Sequence, residues 1–388
     1  MFATKARVSV RKSLPSELPP ELPPERPPEL LGLFSFGRNE FSQLGLGESV
    51  AGDYFPSPVQ IGESTDWKQI ACGENFTLAI KQDGTLWGWG STTSNALGVG
   101  YGVEAYFPYP VQIGTDDDWE YISCTRNTSA AIKKNGTLWT PDPDTGFYRQ
   151  VTEYSDWSTV SCGDNFRAAI RKGKLYTWGY NGVNQCGQGY GKPYIVTDPT
   201  QITEFEDWEQ VQCGNSHSIA IRAGKLYAWG DDSCWQTGLL NPNGGGNQNV
   251  PAEITEFEDF GGEWTKIAAG DYRNIALKGN TLYTWGNKRS AQNQTYLLGL
   301  GKVEPLRGLQ VLDTLPEGID DWDDISISVS HTALIRNGEL YVWGMNEYGE
   351  LGLGDTVDRY TPVKVGLHNN WKQVSCGLYY TIALRDVR

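Results

Sequence analysis

The feature that most constrains the fold of this chain is an internal repeat, which recurs seven times beyond residue 30. Each copy is anchored by a tryptophan that follows an acidic residue or an amide, and the anchors are Trp67, Trp119, Trp157, Trp208, Trp264, Trp322 and Trp371. A β-branched residue stands three positions after every anchor, and a cysteine stands five positions after most of them. The spacing of 38 to 58 residues is inside or near the range of propeller blades.

Within each copy, alternating apolar residues predict short strands with one packed face. The anchor strand is followed by a second run, a turn such as Asp83-Gly84, and a third strand of the type Leu-Tyr-x-Trp-Gly. A segment of the type Gln-Leu-Gly-Leu-Gly and a short strand of the type Pro-Val-Gln-Ile complete the copy. One copy therefore predicts a blade of about four strands.

The two ends of the repeat region complement each other. The last copy stops after its first strands, and the missing third strand is found at residues 33–37, ahead of the first anchor. We therefore predict that this N-terminal segment completes the C-terminal blade and closes the ring. The predicted fold class is all-β, with a seven-bladed β-propeller at residues 31–388 and a basic, then proline-rich, extended tail at residues 1–30.

These motifs resemble the repeats of the regulator of chromosome condensation family. The resemblance covers residues 31–388 and implies the propeller fold, but it implies no single activity. Members of the family include a nucleotide exchanger for a small GTPase, ubiquitin-ligase modules, a plant ultraviolet-B photoreceptor and propellers attached to larger assemblies such as tailed-phage virions. The repeated Gly-Trp-Arg-His-Thr motif of the photoreceptor is missing here, so we reject that function.

Charge and hydropathy exclude several kinds of partner. The formal net charge of −15 disfavours nucleic-acid binding, and no run of about 18 apolar residues predicts membrane insertion. The N-terminus lacks the apolar region of a Sec signal peptide, so we expect a soluble chain whose compartment stays unknown. Its basic residues, followed by a proline-rich spacer, predict a tail anchor; a transit peptide and a solvated linker are the alternatives. The anchor residues are Lys5, Arg7, Arg11 and Lys12.

The positions of the cysteines indicate a structural role rather than a catalytic or metal-binding one. Five of the seven stand at one repeat position, where Ala269 and Ile327 take their place in two copies. A metal ring would need a ligand in each copy, so we predict reduced, buried thiols, no metal site and no cofactor.

The candidate partner-binding residues stand nine positions after the anchors. The residue at this position differs among the copies, whereas the anchor, strand and turn positions are similar in all of them. We predict that this ring lines a funnel mouth that contacts a partner; packing near the central channel is the alternative. Its members are Phe76, Thr128, Phe166, His217, Arg273, His331 and Tyr380. The acidic residues before the anchors predict turn caps or, alternatively, an acidic rim that attracts a basic partner.

The functional prediction is a non-enzymatic interaction propeller. The sequence contains no His-Glu-x-x-His motif, no Gly-x-Ser-x-Gly motif and no complete phosphate loop. We expect the tail to tether the propeller to a larger assembly, such as a phage virion or tail, while its loops bind a protein partner or a surface glycan. The alternative is guanine-nucleotide exchange on a small GTPase, which depends on the family resemblance alone.

Overall fold

The computed structural model describes residues 29–48, 53–239, 246–255, 262–286, 297–301, 308–315 and 322–388. These residues form 28 strands, which are arranged in seven antiparallel sheets of four strands each. The predicted all-β, seven-bladed propeller is confirmed. Each anchor tryptophan is the first residue of the first strand of its blade.

Six blades take their strands consecutively from the chain. Blade 1 contains β3 (Trp67–Cys72), β4 (Phe76–Lys81), β5 (Leu86–Ser91) and β6 (Tyr106–Gln112). Blade 2 contains β7 (Trp119–Thr125), β8 (Thr128–Lys133), β9 (Leu138–Pro141) and β10 (Tyr148–Gln150). Blade 3 contains β11 (Trp157–Cys162), β12 (Phe166–Arg171), β13 (Lys174–Tyr180) and β14 (Ile195–Gln201). Blade 4 contains β15 (Trp208–Cys213), β16 (His217–Arg222), β17 (Lys225–Gly230) and β18 (Gln248–Glu253). Blade 5 contains β19 (Trp264–Ala269), β20 (Arg273–Lys278), β21 (Thr281–Gly286) and β22 (Gln310–Val311). Blade 6 contains β23 (Trp322–Ile327), β24 (His331–Arg336), β25 (Glu339–Gly344) and β26 (Arg359–Lys364).

Blade 7 joins both ends of the described chain in one sheet. It contains β27 (Trp371–Gly377) and β28 (Tyr380–Asp386) from the C-terminal side, and β1 (Leu31–Arg38) and β2 (Tyr54–Gln60) from the N-terminal side. β1 pairs antiparallel with β28, and Leu33 lies opposite Leu384. We call this β1–β28 pairing the clasp. It gives blade 7 the third strand that the C-terminal copy lacks.

Neighbouring blades are joined where the tryptophan of the third strand packs on the Gln-Leu-Gly-Leu-Gly segment of the preceding blade. In blade 4, Trp229 is fully buried and its Nε1 donates a hydrogen bond of 2.9 Å to the carbonyl oxygen of Gln185. A Cβ on Gly187 would lie 2.7 Å from the indole Cδ1 of Trp229. Glycine is therefore needed at this position because the ring packs directly against the backbone. The same indole hydrogen bond is formed by Trp89, Trp285 and Trp343.

Candidate functional site

The antiparallel order of the strands gives the propeller two faces. The turns between first and second strands and the loops between third and fourth strands lie at one edge of every sheet. We call this edge the loop face. Connections on a rigid scaffold are the usual location of recognition, and here the loop face also surrounds one mouth of the central channel.

The central channel contains a cavity of about 180 Å³. Its wall is formed by the first strands of the blades, which present hydroxyl, thiol and glycine groups, and by the turns that follow them. Burial raises the pKa of the channel thiols, for example that of Cys72 to about 11, so they stay protonated near neutral pH. All seven cysteines are free, and six of them are buried. Because a protonated thiol is a poor nucleophile and metal ligand, the wall offers weak hydrogen-bonding groups rather than reactive ones.

The first strands of adjacent blades belong to separate sheets, and side chains bridge between them. Ser123 Oγ of blade 2 accepts a hydrogen bond of 3.1 Å from the backbone N–H of Cys162 in blade 3. The Cys162 thiol in turn donates to the carbonyl oxygen of Ser123. The same Ser-to-Cys bridge crosses from blade 7 to blade 1, where Cys72 N lies 2.9 Å from Ser375 Oγ. The cysteine position therefore has a structural role in the joints between blades.

The seven predicted partner-binding residues are all buried in the structure. Their relative exposures lie between 0% and 8%, in the order Phe76 1%, Thr128 8%, Phe166 0%, His217 0%, Arg273 3%, His331 0% and Tyr380 0%. This burial does not match the expectation that the side chains line a funnel mouth: each begins the second strand of its blade, and the rings of Phe76, Phe166 and Tyr380 lie against the glycine three positions earlier. Contact of this ring with a partner stays a prediction, which the burial disfavours.

Four members of the buried ring form hydrogen bonds to the next blade. Thr128 Oγ1 donates to the carbonyl oxygen of Gly163, and Arg273 Nη2 donates to that of His331. His331 Nε2 lies 2.7 Å from Thr381 Oγ1, and the Tyr380 hydroxyl donates to the carbonyl oxygen of Phe76. The ring therefore has the packing and hydrogen-bonding role that the sequence offered as the alternative.

The ring also explains the glycine six positions after most anchors. A Cβ on Gly73 would lie 2.0 Å from the ring of Phe76, and one on Gly377 would lie 1.9 Å from that of Tyr380. In the copy where the glycine is replaced by Thr125, the later residue is the small Thr128. Four of the five rings thus follow a glycine, because the ring fills the space of the absent Cβ; His331, which follows Ser328, is the exception.

His331 and Ser328 form a pair that resembles a base and a nucleophile. Ser328 borders the channel, and its Oγ lies 3.1 Å from His331 Nδ1. Burial, together with the nearby charge of Arg273, lowers the pKa of His331 to about 3. A base with so low a pKa is a weak proton acceptor, so the geometry favours a structural hydrogen bond.

Charged residues seven positions after the anchors surround the mouth of the channel on the loop face. Arg126 of blade 2 forms an ion pair across the channel with Asp271 of blade 5, which also accepts a hydrogen bond of 3.3 Å from Asn215. Glu74 and Asp164 occupy the same position in blades 1 and 3. Burial raises the pKa of Asp164, and the charge of Arg126 partly offsets this. Sequence reasoning missed these residues, whose signal was a charged or amide residue seven positions after the anchor in five of the seven copies; the other two copies have Val329 and Leu378.

Four of the acidic residues before the anchors form ion pairs within their own blades. Lys133, fourteen positions after Trp119 and opposite it in the hairpin register, forms ion pairs with Asp116 and Asp118 at 2.8 and 2.9 Å. Its ammonium group also lies 4.9 Å from the centre of the Trp119 ring. Equivalent ion pairs join Lys81 to Asp66, Arg171 to Asp156 and Arg222 to Asp207. The alternative of an acidic rim is therefore corrected for these acids, because partner charges neutralise them.

The loop face of blade 3 carries three exposed tyrosines. We define the tyrosine patch as Tyr180, Tyr190, Tyr194 and Ile195, of which Tyr190 is 84% and Tyr194 73% exposed. Tyr180 lies opposite Ile195 in the register of β13 and β14. Asn181, which is buried, donates its backbone N–H to the carbonyl oxygen of Tyr194 and accepts from Cys186 N. The loop that carries the patch is thus held by buried hydrogen bonds.

The remaining sequence predictions concern the N-terminal tail, membrane insertion and metal binding. The tail residues Lys5, Arg7, Arg11 and Lys12 lie outside the described residues. Across the part of the chain that the structure describes, no helix has the length and apolar character to cross a membrane. Within the same ranges, no three His, Cys, Asp or Glu side chains group so that they would hold a metal ion.

Comparison with known proteins gives matches to one repeat family. The model of the regulator of chromosome condensation (RCC1) repeat matches residues 32–80, 172–221 and 337–384, and a second model of this repeat matches residues 67–96. Residues 32–80 extend from β1 into β4, residues 172–221 from the turn before β13 into β16, and residues 337–384 from the turn before β25 into β28. They cover three separate parts of the ring, as expected for a recurring unit.

Two curated relatives differ in how much of their length is matched. The ultraviolet-B receptor UVR8 of Arabidopsis thaliana is 29% identical over 91% of this chain and 70% of its own length. The probable E3 ubiquitin-protein ligase HERC6 of Homo sapiens is 26% identical over 77% of this chain. The match covers only 26% of the length of HERC6.

Solved structures share the architecture of this chain. Human WBSCR16 superposes with a TM-score of 0.78 at 22% identity, covering 92% of this chain and 99% of that protein. Yeast RCC1 (Prp20), solved bound to Kap60, superposes with a TM-score of 0.77 at 19% identity, covering 92% and 89%. At these identities the likeness shows the fold. The chain is therefore a seven-bladed β-propeller that contains matches to the regulator of chromosome condensation (RCC1) repeat at residues 32–96, 172–221 and 337–384.

Proposed function

We propose that the protein is a non-enzymatic interaction module whose loop face binds a protein partner. The tyrosine patch carries this proposal: three tyrosines and an isoleucine are exposed together on a loop that buried hydrogen bonds hold in place. Tyrosine supplies large contact area at little cost in conformational entropy and is enriched in binding hot spots. A rigid loop adds to affinity because less order has to be gained on binding.

The charge of the loop face favours a partner with basic groups. Around the channel mouth, three acidic residues, Glu74, Asp164 and Asp271, act on the guanidinium of Arg126. The whole chain has a formal net charge of −15. Electrostatic steering by such a surface speeds the association of a positively charged protein and disfavours an acidic one.

Site-specific crosslinking tests this location of the partner site. With p-benzoylphenylalanine in place of Tyr190, we expect a discrete crosslinked product in extracts of the source cells. The matched control carries the same group in place of Leu367, which is 94% exposed on the opposite face, and it should give no such product. The double variant Tyr190→Ser/Tyr194→Ser should bind the identified partner at least about tenfold more weakly without a change in melting temperature. Equal products from positions 190 and 367 would contradict the proposal.

Nucleotide exchange on a small GTPase is the second function that family resemblance offers. The structure of Prp20p from Saccharomyces cerevisiae was reported with its binding properties to Gsp1p and histones, which concern Prp20p itself. Faster release of labelled GDP from a GTPase on addition of this propeller would favour exchange over simple binding. Unchanged release, together with the Tyr190 crosslink, would favour the interaction module.

We also propose that the basic tail tethers the propeller to a larger assembly, of which a phage virion or tail is the example drawn from the sequence. Glu29 and Leu30 lead into β1 at the edge of blade 7 opposite the loop face, so a tether on this side would leave the tyrosine patch accessible. Deletion of residues 1–28 should leave the melting temperature unchanged but abolish co-sedimentation with large particles from the source. Retained co-sedimentation would contradict the tether.

A further inference from the structure

A buried carboxyl group lies beside the clasp. Glu350 begins the Glu-Leu-Gly-Leu-Gly segment of blade 6, at the position that Gln43, Gln185 and Gln236 hold in other copies. The glutamine side chains each accept a hydrogen bond from the backbone N–H two residues earlier, as Gln185 Oε1 does from Val183 N at 3.0 Å. Glu350 Oε2 accepts the equivalent bond from Tyr348 N at 2.8 Å. Glutamate therefore takes the structural place of an amide here.

The Glu350 side chain has no access to solvent and is only half satisfied. Its relative exposure is 0%, and Oε1 has no hydrogen-bond partner among the described residues. A neutral carboxylic acid tolerates such a site, whereas an ionised carboxylate loses its hydration and regains only part of it through the hydrogen bond from Tyr348 N. Burial accordingly raises the pKa of Glu350 to about 7.

Glu350 contacts both strands of the clasp through its backbone. On β28, Thr381 Oγ1 donates a hydrogen bond of 2.8 Å to the Glu350 carbonyl oxygen. On β1, a Cβ built on Gly37 would lie 3.1 Å from the Glu350 Cα. A disturbance of the Glu350 segment therefore reaches the β1–β28 pairing directly.

The groups around Glu350 add negative rather than positive charge. On its own loop, Glu347 and Asp358 raise its pKa further. On β1, the guanidinium of Arg38 is paired with Glu40 and lies 5.5 Å from the centre of the Tyr348 ring.

Two further titratable groups near the clasp, Tyr379 and His331, stay neutral. In the turn between β27 and β28, burial and the acidic neighbours Glu347 and Glu350 raise the pKa of Tyr379, which therefore stays neutral. On β24, His331, which contacts Thr381, also stays neutral near pH 7 because burial lowers its pKa to about 3.

We propose that Glu350 makes closure of the ring pH-dependent: its neutral carboxyl group supports the pairing of β1 with β28, and its ionisation weakens that pairing. The sign follows from linkage, because the pKa in the folded protein lies above the ordinary value of 4.5. The stabilising contribution is complete below pH 4.5 and is lost as the pH rises through about 7. The clasp is thus a device that loosens on the alkaline side.

Hydrogen exchange of the full-length chain at several pH values tests this device. Protection factors, which remove the intrinsic pH dependence of exchange, should fall about tenfold for β1 between pH 6 and pH 8 in the wild type. In Glu350→Gln, which copies the other blades, the β1 protection factors should stay constant over this range. The melting temperature of this variant should exceed that of the wild type at pH 8, and the difference should shrink towards pH 5.

The reciprocal variant moves the carboxyl group to a joint far from the clasp. Gln185→Glu should create the same alkaline loss of protection in β13 and β17 while leaving β1 as in the wild type. If Gln185→Glu does not fold, the comparison of the wild type with Glu350→Gln still decides. An equal loss of β1 protection in these two proteins, or a wild-type loss spread evenly over all blades, would overturn the proposal.

Discussion

Replacing Gly37 with alanine should lower the free energy of unfolding by about 4 kcal/mol or more, the range of an exceptionally damaging point mutation. Gly37 has a φ of +103° in β1, a conformation that residues with a Cβ rarely adopt. A Cβ there would lie 2.5 Å from the carbonyl oxygen of Tyr379 and 2.7 Å from the Cα of Tyr380. Both atoms belong to the backbone of blade 7 and cannot rotate away, so relief of the clash requires separation of the clasp. Urea unfolding followed by tryptophan fluorescence measures the loss.

Gly366 provides the matched control in the same part of the ring. It also has a positive φ, of +59°, but a Cβ on it would meet nothing within 4 Å. Gly366→Ala should therefore cost only about 1 kcal/mol, the conformational penalty of the left-handed region. Equal losses in the two variants would show that backbone strain, rather than closure of blade 7, limits stability. The glycines that end the third strands of blades 1, 3, 4, 5 and 6 approach a backbone carbonyl oxygen in the same way.

Removal of the Trp229 side chain should have the second largest effect. Trp229→Ala should cost about 3 to 5 kcal/mol, because a fully buried indole between blades 3 and 4 leaves a large cavity. Trp229→Phe should cost about 1 to 2 kcal/mol, since it keeps most of the ring but leaves the carbonyl oxygen of Gln185 without its hydrogen bond. The clasp supplies a natural precedent: Phe36 takes this position in blade 7 and packs on Gly352. Chemical unfolding of both variants measures the difference, and equal losses would contradict a role for the ring in joining blades.

The repeat made the architecture predictable from the sequence. Each anchor tryptophan begins a first strand, and the third strand missing from the last copy is found in β1. These predictions succeed because the same pattern occurs in seven copies, so a departure from the pattern in one copy does not change the predicted fold. Copy two forms a four-stranded blade although its third strand, β9, has only 4 residues.

The location of the candidate site was harder to predict. Alternation along a strand shows which side chains point away from the apolar face. It does not show whether these side chains are exposed to solvent or buried under a turn. His217 and Tyr380 therefore read as channel-mouth residues in the sequence and are buried joints in the structure. The co-occurrence of large rings with glycine three positions earlier was a usable signal that we did not apply.

The neutralised acids illustrate a second limit. Asp118 and Lys133 are fifteen residues apart in sequence and come together because the hairpin register places Lys133 opposite Trp119. A register predicted from the turn would have revealed that a basic residue stands fourteen positions after every anchor. The tyrosine patch, by contrast, lies on one loop of one copy. Comparison of the copies therefore could not predict that its side chains are exposed.

The pairing of Leu31 with Asp386 has a practical consequence for handling the protein. Because both termini of the propeller emerge from the same pole, a short peptide could splice them and new ends could be opened between other blades. A support or dye attached through Arg388 would likewise leave the opposite pole facing the medium. Immobilisation at the C-terminus is therefore the orientation in which capture of a partner can be measured without obstruction.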